Sequence, residues 1–172
     1  MLNHGAIVTA FDLNLDFVTL TRTRLNKRAR VLQADLAKPL DFARDAEFDL
    51  VVCPLVMHYL KDWQPPFREF HRILKPHGVL VFSTHHPFND WKLFNKEDYF
   101  AVELLEDEWE DVGKVTFYRR PLTAISQDLA AAGFVIERLL EPQPTEDFRR
   151  ANPIKYELLM KNPWFLAIRA EK

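Results

Sequence analysis

The sequence predicts an α/β fold: an open, mostly parallel sheet with helices on both faces. Three observations predict it. Residues 67–87, FREFHRILKPHGVLVFSTHHP, run from an amphipathic helix through a turn into an apolar strand and then a polar cluster. Short β-branched and aromatic runs alternate with helical stretches along the chain, the order that builds parallel sheets. Val79–Phe82 is a continuous apolar run, the mark of a strand covered on both faces.

Each element follows from local pattern. Ala6–Phe11 (AIVTAF) is predicted as a short buried strand stopped by Asp12-Leu13-Asn14. Leu15–Arg28 carries Phe17, Val18, Leu20 and Leu25, and its closing Arg and Lys residues suit the negative end of a helix. Ala29–Ala34 is a second strand, ending at Asp35-Leu36, and residues 38–47 form a polar loop. Phe48–Cys53 is a third strand, ending at Pro54, and LVMHYLKDW (55–63) is short helical or irregular. A helix beginning near Pro65 sets Phe67, Phe70, Ile73 and Leu74 on one stripe. Pro76 cannot continue it, and Gly78 is predicted to give the turn its freedom. Residues 89–115 break the rhythm; aromatic and acidic, they are predicted to be an insertion folded over the strand ends. Within and beyond them, Glu103–Asp111 is predicted to be an exposed acidic face, and the Arg119-Arg120 pair either solvated surface or a grip on an acidic substrate. Pro121–Ala132 is a helix closed by Gly133, Phe134–Leu140 a strand, 141–162 a loop with a short helix, and Trp164–Ala170 a last strand.

Composition bounds the function. The 172 residues suffice for one core, so a single domain over 1–172 is expected. A formal net charge of −2 argues against nucleic-acid or anionic-membrane partners. Cys53 is the one cysteine, which excludes an internal disulfide and a thiolate-rich metal site. No apolar run approaches the roughly 20 residues of a spanning helix. The opening residues show no basic region followed by an apolar stretch, so a cytoplasmic protein is expected.

Five segments carry a family resemblance: VTAFDLN (8–14), QADL (33–36), FDLVVCPLVMHYL (48–60), RILKPHGVLVFSTHHP (72–87) and AGFVIERLLEP (132–142). In this order the chain resembles the class I S-adenosylmethionine-dependent methyltransferases, most closely their small-molecule "type 11" group. The resemblance implies a Rossmann-like sheet of strand order 3-2-1-4-5-7-6 with the last strand antiparallel, and methyl transfer from S-adenosylmethionine to a small molecule. One departure stands out. The family opens with a strand and a loop near G-x-G-x-G, whereas Gly5, Gly78, Gly113 and Gly133 are all the glycines here, and none makes a G-x-G. The resemblance thus implies a chain truncated at its N-terminus, without the first strand. A central sheet edge left exposed in this way would be open to self-association.

The resemblance also assigns roles. Asp12 would accept from the ribose hydroxyls, with Leu13 packed on the adenine; a turn aspartate beside Asn14 is the plainer reading. Asp35 would accept from the adenine amino group and Leu36 would stack on the ring, or Asp35 would be a strand-end turn residue. Cys53, at the end of the fourth strand of the family's count, would lie near the methyl donor; a small buried residue is its simpler role. Ligands of open α/β sheets sit at the carboxyl ends of strands, where Ser83, Thr84, His85 and His86 lie. Methyl transfer mainly needs alignment, and a general base helps a hydroxyl or ammonium acceptor. His86 is the first candidate base and His58 the second, with His85, Trp91 and Tyr118 around the acceptor. A metal site from His58, His85, His86 and Asp90 is disfavoured because adjacent histidines rarely face one ion, so no metal is expected. Two rival readings are a non-catalytic interaction module or pseudoenzyme, and a nicotinamide oxidoreductase sharing the Asp12 logic.

Overall fold

The computed structural model describes residues 1–109 and 112–172. The chain divides into two compact units, residues 1–43 and 44–172.

The first unit holds β1 (Thr9–Asp12), α1 (Leu15–Leu25) and β2 (Arg30–Gln33). β1 and β2 pair in parallel, from Thr9 opposite Arg30 to Asp12 opposite Gln33. Asn14 starts α1 by accepting hydrogen bonds from the Asp16 and Phe17 amides, and Asn26 ends it in the left-handed region at φ 43°. The Arg22 guanidinium donates twice to the Val31 carbonyl, at 2.9 and 3.1 Å, and so pins the helix to β2. The predicted helix stripe needs correction. Val18 is buried, with Thr21 and Leu25 half-buried below it, whereas Phe17 and Leu20 stay exposed. The helix shows its sheet the 18-21-25 face, one residue round from the aromatic one.

The second unit is larger. Its sheet has the order β3 (Phe48–Pro54), β4 (Leu74–His85), β8 (Phe165–Glu171), β7 (Val135–Leu140). β3 and β4 are parallel, and β8 runs antiparallel to both its neighbours. In the family's count the strands of this unit are 4-5-7-6 and the pair of the first unit is 3-2, so within each unit the order is the one the resemblance implied. Between the strands lie α2 (Gln64–Ile73), α3 (Pro87–Leu93), α4 (Leu122–Ala131), α5 (Glu146–Ala151) and α6 (Pro153–Leu159). The loop predicted over 141–162 thus holds two short helices, started by the Thr145 and Asn152 side chains.

α2 supplies the core. Phe67, Phe70, Ile73 and Leu74 are all buried, as the stripe predicted. The Phe67 ring meets Phe82 of β4 at 5.3 Å and Trp63 at 5.7 Å. Along β4, Leu80, Phe82 and Thr84 are buried while Val79, Val81, Ser83 and His85 on the other face are half-buried. Both faces are therefore covered on β4. On the edge strand β3, Leu50 and Val52 remain exposed.

The turn into β4 works differently from expectation. His77, not Gly78, takes the left-handed conformation, at φ 61°. Gly78 is required for space, because a Cβ there would stand 2.8 Å from the Lys75 carbonyl oxygen. Gly133 does close α4 as predicted, at φ 93° with its amide on the Ala130 carbonyl.

The predicted insertion forms a β-hairpin, β5 (Glu103–Trp109) with β6 (Gly113–Arg119), four residues longer than foreseen. Glu106 and Glu108 are exposed as expected, while Leu105, just before them, is buried; Glu110 and Asp111 of the acidic run lie outside the described residues. Arg119 and Arg120, predicted as surface or substrate-binding, are instead buried. Arg119 donates to Glu103 and to the Asp98 and Tyr99 carbonyls. Arg120 lies 3.9 Å over the Trp63 ring and donates to the Leu60 and Lys61 carbonyls. Among the described residues no helix is long and apolar enough to cross a membrane.

Phe67 joins α2 to β4 at the centre of this packing. Phe67→Ala is expected to cost about 3–5 kcal/mol of unfolding free energy in urea titration. A loss below about 1 kcal/mol would contradict the described core.

Candidate active site

The second unit contains a cavity of about 690 Å³ at the carboxyl ends of β3 and β4. Three positions just past or at those ends build its floor: Leu55, the 57–59 turn, and His85. Leu55 is held at φ 51°, an uncommon conformation for leucine, and its amide donates to both the carbonyl and hydroxyl oxygens of Ser83, at 3.0 and 3.2 Å. That anchoring turns the chain sharply and drops His58 beneath His85. The two imidazoles stack with centroids 4.2 Å apart and planes 17° from parallel. Phe117 of the hairpin meets both edge-on, at 4.6 Å from His85 and 5.9 Å from His58. Tyr59, Phe94, Trp109, Trp164 and Phe165 add further aromatic wall, and Asn89, Asp90, Asp107, Glu108 and Lys155 the polar lining.

Burial decides the charges. His58 is almost fully buried, and neither ring nitrogen has a hydrogen-bond partner among the described residues. Desolvation, with the neighbouring His85, pushes its pKa down to about 3. Desolvation likewise pushes His85 down to about 4, against the opposing pull of Asp107. The His85 Nδ1 lies 3.8 Å from Asp90 Oδ2, but with His85 neutral this is no ion pair. Burial raises the Asp90 carboxyl to about 7, although Arg119 acts to lower it.

The sequence-predicted residues fall in several places. His58 and His85 line the cavity. His86 sits at the start of α3, with Nε2 2.8 Å from a Glu141 carboxylate oxygen, and is not among the lining residues. Trp91 packs against Phe88 and Tyr99, at 5.4 and 6.0 Å. Tyr118 follows Phe117 on β6, so strand alternation sends it to the opposite face of the hairpin. Cys53 is buried, and desolvation pushes its thiol up to about 12, so it remains protonated. The alternative metal set is not assembled: among the described residues, no three His, Cys, Asp or Glu side chains converge to hold an ion. Sequence reasoning missed Asp90 as an acid–base group and Phe117 as lining. Only the parity of a strand not yet placed could have pointed to Phe117.

Asp12, Leu13, Asp35 and Leu36 belong to the first unit. The β1–β2 register sets Asp12 opposite Gln33, so Asp12 and Asp35 both stand at the carboxyl end of this parallel pair. Asp12 Oδ1 accepts the Asn14 amide at 2.8 Å, and its second carboxylate oxygen has no partner among the described residues. Asp35 Oδ1 accepts the Ala37 amide at 2.9 Å, with Lys38 Nζ 3.8 Å from Oδ2. Leu13 is 65% exposed, an apolar surface beside the free carboxylate oxygen, whereas Leu36 is buried. A carboxylate with a spare acceptor beside exposed leucine fits a ribose hydroxyl pair with an attached base.

The Methyltransferase domain family matches residues 1–82. YqeM of Bacillus subtilis (strain 168), named as a candidate methyltransferase, is 26% identical over 169 residues, 94% of this chain and 65% of that protein. The human thiol S-methyltransferase TMT1B is 28% identical over 115 residues, 63% of this chain and 45% of its own length. The chain thus spans less than two thirds of either relative. The crystal structure of an S-adenosylmethionine dependent methyltransferase from Mesorhizobium loti superposes with a TM-score of 0.77 at 24% identity, over 99% of this chain and 83% of that one. The chain has the fold of the class I S-adenosylmethionine-dependent methyltransferases.

The buried imidazole makes a stability prediction. Unfolded, His58 takes a proton below about 6.5; folded, it stays neutral down to about 3, so its contribution is lost as pH falls through that window. Asp90 acts oppositely, since the folded chain holds a proton the unfolded chain releases between about 4 and 7. His58→Phe is expected to leave the Asp90 effect and remove the imidazole's, gaining up to about 3 kcal/mol on wild type between pH 6.5 and 4. Parallel pH–stability curves for the two proteins would refute a neutral buried His58.

Proposed function

We propose that this protein transfers a methyl group from S-adenosylmethionine to a small-molecule acceptor. The observation that carries the reading is the register of β1 and β2, which brings Asp12 and Asp35 to one end of a parallel pair. The matched family segment, 1–82, includes both aspartates and supports the same cofactor. S-adenosylmethionine supplies an electrophilic methyl carbon on a sulfonium. Asp12 accepts from the ribose hydroxyls through its free oxygen, and exposed Leu13 covers one face of the adenine. Asp35 accepts from the adenine amino group. Leu36, buried in the first unit, supports that turn from below and does not stack on the ring. Cys53 has no chemical role here, because a protonated, buried thiol is no nucleophile.

The acceptor enters the cavity of the second unit. Its aromatic wall suits a small molecule in size and polarity. The base is not His58, whose nitrogens are closed off, nor His86, which is engaged by Glu141 outside the lining. The cytoplasm is the proposed setting.

Calorimetric titration with S-adenosylhomocysteine tests the reading directly. Wild type is expected to bind saturably, and Asp12→Ala to bind about 1–3 kcal/mol more weakly. Equal affinity in the variant would remove Asp12 from the site, and no heat with wild type would sink the proposal.

A further inference from the structure

Asp90 stands apart in the acceptor cavity. It is 5% exposed, it lines the cavity, and its carboxylate makes no hydrogen bond among the described residues. His85 Nδ1 is 3.8 Å away, beyond hydrogen-bonding distance, and Arg119 and Asp107 reach Asp90 only through their fields. A carboxyl group in so dry a place, left unpaired, costs free energy that a ligand could recover. The other charged lining is committed or peripheral. Both Asp107 oxygens accept on their own strand, from the Glu108 amide and the Trp109 indole. Glu108 is exposed. Lys155 of α6 also lines the cavity. Arg119 of β6, the cation whose field reaches Asp90, is held by Glu103 and two carbonyls.

We infer that Asp90 is the proton acceptor for a flat, uncharged aromatic acceptor bearing a phenolic hydroxyl, bound against the aromatic wall of this cavity. This rests on the methyl-transfer reading. Tyr59, Phe94, Trp109, Trp164 and Phe165 line the cavity and supply surfaces on which a planar ring can stack. A carboxylate substrate would face Asp90 in a dry wall. A phenol, ordinarily ionising near 10, passes its proton to a carboxylate near 7 far more readily than an aliphatic alcohol would. In the step, the phenolic oxygen bonds to the methyl carbon as the carbon–sulfur bond breaks. That electron pair goes to sulfur, and the hydroxyl proton goes to Asp90.

Calorimetric titration with 4-methylphenol, uncharged at neutral pH and used without any methyl donor, reads the site separately from turnover. Wild type is expected to bind saturably, and Asp90→Asn and Asp90→Leu at least about tenfold more weakly, with unchanged circular dichroism. With S-adenosylmethionine added, Asp90→Asn is expected to lower kcat/KM for the phenol about 10²- to 10⁴-fold while S-adenosylhomocysteine affinity stays the same. Both variants binding the phenol within twofold of wild type would overturn the inference. So would benzylamine binding more tightly than the phenol, since it would show a cation site. Phenol binding that depends on Asp90, in a protein blind to S-adenosylhomocysteine, would defeat the methyl-transfer reading and leave the aromatic site standing. Cofactor binding without phenol binding would defeat this inference alone.

Discussion

The contact between Phe67 and Phe82 sets the terms for the larger unit. Once Phe82 faces α2, the two-residue period of a strand leaves no choice for the rest of β4. Leu80 and Thr84 share the buried face, and His85 is sent to the other side of the sheet. There it meets His58, Phe117 and Asp90. A core packing decision on one face thus aims the cavity's polar side chain on the other. The Ser83–Leu55 hydrogen bonds complete the device by bending the chain after β3 so that the 57–59 turn closes beneath His85.

A single physical cause, loss of water, explains the chemistry of that cavity. It keeps both imidazoles neutral, lifts Asp90 and leaves the Cys53 thiol protonated. The two buried arginines avoid the same fate in different ways. Arg119 is matched by a carboxylate and two carbonyls; Arg120 has two carbonyls, the Trp63 face and the Asp128 carboxylate at 3.5 Å, and burial lowers it to about 10. These cations therefore hold the hairpin and the 60–61 segment in place. The first unit, by contrast, keeps its carboxylates wet and partly satisfied by their own turns, which suits reversible binding of ribose hydroxyls.

Much of this was legible in the residues. The α2 stripe, the β4 run, the strand-end aspartates and the Gly133 cap are short-range patterns, and local sterics and periodicity are enough to read them. What failed was equally informative. The hairpin could not be seen, because its alternation is disguised by charge on the exposed face. Phe17 and Leu20 proved exposed because periodicity defines several faces of a short helix, and only packing chooses among them. Gly78 is needed for a close approach to the Lys75 carbonyl that no local rule reveals.

Sequence alone therefore determined the order and kind of the main elements and the position of Asp12 and Asp35 at strand ends, since these depend on spacing along the chain. Tertiary structure decided which histidine reaches the cavity, why the arginine pair is buried and that Asp90 is an unpaired acid in an aromatic cavity. The reason is that protonation and access depend on water and neighbours, and those are set by residues brought together from β3, β4, α3 and the hairpin.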